Sequence, residues 1–144
     1  MLFRSLDAFF TSINEDYQEW LDEEWISPYF NSEETFEEDY ALIMMYDETE
    51  DVDKFKQFVV DKMHECITKG INPQQLEQLK KRALGNFLTI FNSCETLATV
   101  AYRAKERGIT LFEEFEMVEG ISVELCNAYM QEIDLEQMVV VQLS

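Results

Sequence analysis

Basic residues are missing from most of the first third of the chain. No Lys or Arg occurs between residues 5 and 53, and ten of the eleven basic residues lie between residues 54 and 107. The formal net charge of the 144 residues is −19 at pH 7. Such a surface repels a phosphate backbone, so we expect no nucleic-acid partner. It favours a basic peptide or protein partner, or it serves only to keep the chain soluble.

Residues for metal or nucleophilic chemistry are also scarce. The single histidine, His64, makes a zinc motif of the H-x-x-E-H type impossible within this sequence. His64 and Cys66 are two residues apart on a predicted helix, so they face in different directions and do not form a shared site. The isolated Gly85, Gly108 and Gly120 form no nucleotide-binding loop. Carboxylates at 22–24 and 37–39 are interpreted as solvated surface. We predict no catalytic residue and no metal ligand in this chain.

Three cysteines are too few and too widely spaced for a disulfide framework. Cys66, Cys94 and Cys126 are odd in number, which predicts reduced thiols, buried in the core of a cytoplasmic protein. The chain has no run of about 18 uncharged apolar residues, so no membrane span is expected. Residues 1–4 lead into polar and acidic sequence, which predicts no secretory signal.

What the chain does contain is material for one hydrophobic core. Its 47% apolar and 13% aromatic residues suit a single domain over 1–144. Residues 6–25 show helical periodicity, and Ser12 with Glu15 predicts a capping box and a break near residue 12. Pro28 makes residues 26–30 an edge strand at most.

The clearest strand pattern covers Phe36 to Tyr46. Tyr40, Leu42, Met44 and Tyr46 alternate with Ala41, Ile43 and Met45, so both faces are apolar and the strand is expected to be covered on both sides. Residues 138–141 predict a second buried strand from their β-branched composition.

Helices with clear ends occupy the rest of the chain. A helix over 52–69 ends at Gly70, and Asn72-Pro73 opens the next. That second helix carries an apolar stripe that should face the core: Leu76, Leu79, Ala83, Leu84, Phe87, Leu88 and Phe91. It breaks at Asn92-Ser93, where Ser93 can cap a new helix. Thr110 with Glu113, and then Ser122, cap two more, so an α+β domain is predicted.

The break lies within an extended sequence pattern. Residues 79–87 read L-K-K-x-x-L-G-x-F, residues 92–95 read N-S-x-E, Gly108 follows, and residues 121–127 read I-S-x-E-x-x-N. The order and spacing, over roughly residues 12–143, resemble the C-terminal half-domain of the insulinase/pitrilysin-type zinc peptidases. This clan includes mitochondrial processing peptidase, and its bacterial cytosolic members are the most similar.

The resemblance implies a fold and a context. The fold would be an antiparallel sheet, with strands including 36–46 and 138–143, covered on one face by helices, among them the pair that turns at 92–93. The chain would be an incomplete C-terminal half-domain without a cofactor of its own. Zinc, if present at all, would lie in an N-terminal half. That half or a homologous subunit would be the partner, and a peptide the possible substrate.

The resemblance also gives a reason to doubt catalysis. Residues 21–29 are similar to the family stretch L-R-E-x-x-G-L-x-Y, in which active members use the Arg and the Tyr to hold substrate. Asp22 stands at the Arg position. Tyr29 stands at about the Tyr position, but the preceding Trp25-Ile26-Ser27-Pro28 departs from the G-L pattern, so no catalytic residue is carried over. The parent is then an active peptidase or an inactive homologue that assists an active or modifying enzyme.

The predicted sheet edge and a second candidate function remain to be stated. Without its first strands, the sheet should have an exposed edge that pairs with another copy or stays frayed. The alternative to the peptidase-like reading is a stand-alone acidic protein-interaction module.

Overall fold

The computed structural model describes residues 5–36 and 40–143. These residues form an α+β structure that is mostly helical, which confirms the predicted class. In chain order the elements are α1 (Asp7–Phe10), α2 (Tyr17–Asp22), β1 (Asn31–Phe36), β2 (Ala41–Tyr46), α3 (Val52–Lys69), α4 (Pro73–Ile90), α5 (Cys94–Glu106), α6 (Leu111–Glu119) and α7 (Val123–Gln131), followed by a 3-10 helix over Leu135–Gln137.

The predicted break in the first helix is confirmed, but its cause differs from the prediction. The residue before α2 is Asp16, and no side chain caps this helix, so the Ser12–Glu15 capping box is wrong. Asn14 holds the turn instead. Its Nδ2 donates to the Phe9 carbonyl at 2.9 Å, and its Oδ1 accepts the Asp16 N–H at 3.0 Å. This Asx-type turn redirects the chain between the two short helices.

Helix α2 ends in a Schellman motif that has a glutamate at the glycine position. The Trp25 N–H donates to the Trp20 carbonyl at 2.9 Å, and the Glu24 N–H donates to the Leu21 carbonyl at 3.2 Å. Glu24 has a φ of 57°, a left-handed conformation that favours glycine. The motif places the rings of both Trp20 and Trp25 next to Phe58, at 5.1 and 6.3 Å between centroids.

Replacing Glu24 with glycine should therefore stabilise the protein. Relief of the left-handed strain outweighs the entropy that glycine adds to the unfolded chain, and we expect a gain of about 0.5–1 kcal/mol. Chemical denaturation measures it. Glu23→Gly is the matched control, because Glu23 has an ordinary φ of −90° and should lose stability on the same change. A loss in both variants would contradict the strain argument.

The hairpin corrects the strand prediction for 36–46. Strand β1 ends at Phe36, residues 37–39 lie outside the described residues, and β2 is Ala41–Tyr46. The strands pair antiparallel, with Asn31 opposite Tyr46 and Phe36 opposite Ala41. The sequence of β1, NSEETF, has only one large apolar residue, which is why periodicity does not find it.

Only one face of β2 is covered, so the prediction of cover on both sides is wrong. Ile43 and Met45 pack against the main core, whereas Leu42, Met44 and Tyr46 are exposed on the opposite face. The inner face is fixed to α1 because the Leu6 N–H donates to Glu34 Oε1 at 3.0 Å. Strand β2 therefore presents an apolar row of side chains outwards.

The predicted strand at the end of the chain is also wrong. Residues 138–143 form neither helix nor strand, and Val139 and Leu143 are 82% and 93% exposed. Strand composition is not sufficient, since a strand exists only where another strand pairs with it.

The α3–α4 turn is fastened to α7. Gly70 ends α3 with a φ of 64° and a ψ of −176°. Asn127 of α7 accepts the Ile71 N–H at 2.7 Å and returns its own Nδ2 to the Ile71 carbonyl at 3.4 Å. Asn72 and Gln75 then close the capping box that starts α4. Asn127, the last residue of the I-S-x-E-x-x-N pattern, thus has a structural role.

The chain turns back at the predicted place between α4 and α5. Ser93 caps α5 by accepting the Thr96 N–H at 3.2 Å. Helix α4 packs on α1, α5 and α6, and α5 also packs on α6. The main core joins α1, α2, α3, α4, α7, the inner face of β2 and Val118 of α6, while Phe87, Ile90 and Leu111 form a second core at the α4–α5–α6 end. The turn is confirmed, but a sheet that includes 138–143 beneath it is not present in the described residues.

Candidate functional site

An apolar surface lies where α4 meets α6. Leu84 and Leu88 of α4 and its C-terminal cap residue Phe91 follow one another at helical spacing, and the ring of Phe112 of α6 lies 6.3 Å from that of Phe91. All four are exposed, with Leu88 at 58% and Phe112 at 63%. We call Leu84, Leu88, Phe91 and Phe112 the α4/α6 patch. The prediction that Leu84, Leu88 and Phe91 face the core is therefore wrong. Ile90, which was not part of the predicted stripe, is buried instead.

The buried ring of Phe87 and the half-buried ring of Phe115 support this patch from below. Phe87 is stacked on Phe115 with 4.8 Å between centroids, and it makes edge contacts to Phe91 at 5.3 Å and to Phe112 at 5.8 Å. Such ring pairs restrict one another's rotamers. The aromatic half of the patch, Phe91 and Phe112, is therefore preorganised, and these two side chains lose little entropy when a partner covers them.

The patch continues into a groove between α4 and α6. The groove has a volume of about 390 Å³, and its lining includes Leu84, Phe115 and Val118. Lys80 lies at its rim and donates from Nζ to the Glu119 carbonyl at 2.6 Å. An apolar floor with a charged rim is the usual make-up of a protein-binding surface.

A second exposed apolar surface is the outer face of the hairpin. Leu42, Met44 and Tyr46 share this face with their cross-strand neighbours Thr35, Glu33 and Asn31. The Tyr46 hydroxyl donates to Glu33 Oε1 at 2.8 Å and accepts from Asn31 Nδ2 at 2.7 Å. The face is thus apolar along β2 and polar along β1.

A more polar cavity lies between α1, the start of β1 and α4. It has a volume of about 460 Å³, and its lining includes Tyr17, Gln78 and Arg82. Arg82 Nη1 donates to Thr11 Oγ1 at 3.1 Å, and its Nε is 3.7 Å from the buried Asp7 carboxylate. The guanidinium charge is already matched by Asp7, so the cavity does not present an unpaired charge to a substrate.

Two buried carboxylates, those of Asp7 and Glu114, are not predicted from the sequence. Asp7 pairs with Arg82, 75 positions away, and Glu114 pairs with Arg107 Nη2 at 2.8 Å. No short spacing links Asp7 to Arg82, so a single sequence carries no signal for that pair. Glu114 stands in a run of acidic residues and resembles its exposed neighbours. Both pairs stabilise helix contacts.

The sequence-predicted chemical residues do not assemble into a site. His64 is exposed on α3 and Cys66 is buried, so they face apart as expected. Burial raises the pKa of the Cys66 thiol, and burial also raises the pKa of Cys126 to about 11. Cys94 is exposed, so the expectation of three buried thiols is wrong for this residue.

The carboxylates at 22–24 and the second family position, Tyr29, do not form a common site either. Asp22 accepts from Gln18 Nε2 at 2.9 Å, while Glu23 accepts from the Trp25 indole at 2.9 Å. Tyr29 is exposed in the turn before β1 and shares no hydrogen bond with Asp22. Residues 37–39 lie outside the described residues. Within 5–36 and 40–143, no three His, Cys, Asp or Glu side chains converge as metal ligands would.

Comparison with known proteins finds no matching family model, no matching curated protein and no matching solved structure. The resemblance to the insulinase/pitrilysin-type peptidases therefore depends on the residues quoted above. None of the helices in the described part of the chain combines the length and hydropathy needed to cross a bilayer. The two exposed apolar surfaces remain the strongest guide to function.

Proposed function

We propose that this chain is the cytoplasmic, non-metal half of a zinc-peptidase-like protein. It packs through the α4/α6 patch against a zinc-bearing half or a homologous subunit. The outer face of the hairpin, with Leu42, Met44 and Tyr46, walls a chamber for a peptide. The chain has no activity alone, and its parent is an active peptidase or an inactive homologue.

The exposure of the α4/α6 patch is the observation that carries this proposal. Three of its four members, Leu84, Leu88 and Phe91, fall between Leu79 and Ser93, inside the stretch whose pattern resembles the peptidase half-domain. Two of its members, Leu84 and Leu88, flank Gly85, which has no neighbouring atom within 4 Å of an added Cβ. A glycine inside a helix costs about 1 kcal/mol relative to alanine. Close approach of a partner at this position would explain why a glycine stands within the helix and why the two leucines are exposed.

The acidic interaction module remains a second candidate because of the charge distribution. From residue 5 to residue 53 every ionisable side chain is acidic. A partner recognised through this surface would be basic, and its binding would weaken steeply with salt. A partner held by the α4/α6 patch would respond little to salt, so salt dependence separates the two functions.

The proposal can be tested by reconstitution. The coding sequence upstream, or a neighbouring gene, should supply a peptidase-like half that carries H-x-x-E-H or a degenerate form of it. Expressed as a separate chain and mixed with this one, that half should form a one-to-one complex detected by light scattering. Zinc analysis and cleavage of a basic fluorogenic peptide then distinguish an active parent from an inactive one.

Charge placed in the patch should prevent this complex. Leu88→Glu puts a carboxylate at the centre of the proposed interface, and we expect at least about a tenfold loss of affinity, as for a hot-spot residue. Leu125→Glu is the matched control, because Leu125 is equally exposed but lies on α7. Equal binding by both variants, or no complex with any such half, would refute the proposal.

A further inference from the structure

Residues 138–143 have a strand-like sequence, but no strand among the described residues pairs with them. The chain leaves the 3-10 helix at Met138 with an extended backbone, φ −65° and ψ 133°. The sequence MVVVQL then places Val139, Val141 and Leu143 on one side and Met138 and Val140 on the other. The first side is the more exposed, since Val141 is 77% exposed and Val140 is 48% exposed. This alternation is the pattern of an extended segment, and one apolar side of it is almost bare.

The same protomer offers a strand edge that no other described residue occupies. Within the described residues, β2 is hydrogen-bonded to β1 alone. The free edge of β1 is blunted, because the Ser32 N–H already donates to Asn31 Oδ1 at 2.9 Å and α1 packs beside the strand. No side chain among the described residues accepts from an N–H of Ala41–Tyr46. As far as residues 5–36 and 40–143 are concerned, the outer edge of β2 is thus open, and such an edge is a template for another strand.

The segment and the edge match in length, charge and polarity. Both are six residues long, and neither 138–143 nor 41–46 contains a charged residue. Strand β2 has apolar side chains on both faces, Leu42 and Met44 outside and Ile43 and Met45 inside. An added strand therefore finds apolar neighbours in either register, which is the basis of cross-strand stabilisation.

We infer that residues 138–143 of one copy pair with the outer edge of β2 in a second copy, and that the exchange is reciprocal. One chain supplies one unpaired segment and one open edge, so two copies satisfy each other and the contact closes with twofold symmetry. Each hairpin becomes a three-stranded sheet, and the exposed side of the segment gains a neighbour. This inference does not depend on the peptidase-like function.

Salt has a defined effect on such a dimer. Each copy has a net charge of −19, so the two copies repel one another while the contact itself is uncharged. Screening weakens the repulsion and leaves the strand contact unchanged. The fraction of dimer should therefore rise with salt concentration, the reverse of the behaviour of a contact held by ion pairs.

The experiment compares the full chain with proline variants of the segment. Sedimentation equilibrium should show a doubling of molar mass as the protein concentration increases. Neighbouring N–H groups of a strand point to opposite sides, so the double variant Val140→Pro, Val141→Pro removes the donor that faces β2 whichever register forms. We expect it to remain monomeric. Its thermal unfolding as a monomer should be unchanged, because these residues contact little within a protomer.

Hydrogen exchange identifies the acceptor strand. Amide protection at 41–46 should increase with concentration in the full chain and stay constant in the double proline variant. The conservative pair Val140→Thr, Val141→Thr keeps the β-branched side chains and the donors, and should still dimerise. A monomer at every concentration, a dimer that survives the prolines, or protection that leaves 41–46 unchanged would each overturn the inference.

Discussion

Replacing Gly70 with alanine should lower the free energy of unfolding by about 2–6 kcal/mol, a large part of the stability of a domain of this size. The loss has two physical sources. At φ 64° and ψ −176° the backbone lies in a region that is essentially restricted to glycine. In addition, an alanine Cβ would lie 2.4 Å from Asn127 Oδ1 and 2.5 Å from its Cγ.

The overlap with Asn127 matters because this side chain cannot move without cost. It both accepts from and donates to the main chain of Ile71, and Ile71 is itself buried. Displacing the amide leaves these main-chain groups without their partner, which costs about 1–3 kcal/mol when they are shielded from water. The Gly70→Ala substitution therefore disturbs both the α3–α4 turn and the contact of that turn with α7.

Two other glycines are the controls for this variant. Gly108 has a φ of 76° but no atom within 4 Å of an added Cβ, so Gly108→Ala should show the backbone strain alone. Gly85 lies within α4 with open space around it, so Gly85→Ala should raise stability by about 1 kcal/mol. Urea denaturation of the three variants measures the order. If Gly70→Ala lowers the free energy of unfolding by no more than Gly108→Ala does, the side chain of Asn127 moves away from the added Cβ without cost.

Truncation of Phe10 to alanine should cost about 3–5 kcal/mol. Phe10 is 2% exposed in α1, a helix of four residues that cannot persist without tertiary contacts. Its ring lies 6.2 Å from that of Phe30, just before β1. The cavity left by the missing ring would loosen α1 from the start of the hairpin, and the outer face of the hairpin would lose its fixed orientation.

The same substitution at Phe112 separates stability from binding. Phe112→Ala removes an identical group from the α4/α6 patch, where it is mostly exposed, so we expect a loss below about 1 kcal/mol. Thermal unfolding of both variants gives the comparison, and binding of Phe112→Ala to the reconstituted half should weaken. Similar melting temperatures for the two variants would show that Phe10 is not an anchor of the core.

Helix ends were predictable because their signals are local. Ser93, Ser122 and the Thr110–Glu113 box each act over three residues, and the structure places each cap where the sequence does. Gly70 and Asn72 are found for the same reason. The one failed cap, Ser12, competes with Asn14, whose amide can both donate and accept and so holds the turn better.

Strands and apolar faces were less predictable because they depend on distant residues. Nothing within NSEETF indicates that β1 pairs with β2, and nothing within MVVVQL indicates that this segment has no strand partner in the described part of the chain. On α4, Leu88 and Ile90 are equally apolar, yet one is exposed and the other is buried. Periodicity detects an apolar stripe but cannot tell a face that packs on the core from a face reserved for another molecule. For this reason the sequence does not predict that the α4/α6 patch is exposed.

The position of Cys94 gives the molecule a natural attachment point for a reporter. It begins α5 directly after the turn that follows Phe91, and it is the exposed thiol of the three. Thiolates are the reactive species, and burial keeps Cys66 and Cys126 protonated at neutral pH. A maleimide dye would then attach at one place, beside the α4/α6 patch. Its emission would change when a second protein covers that surface, so docking can be followed in the unmutated chain.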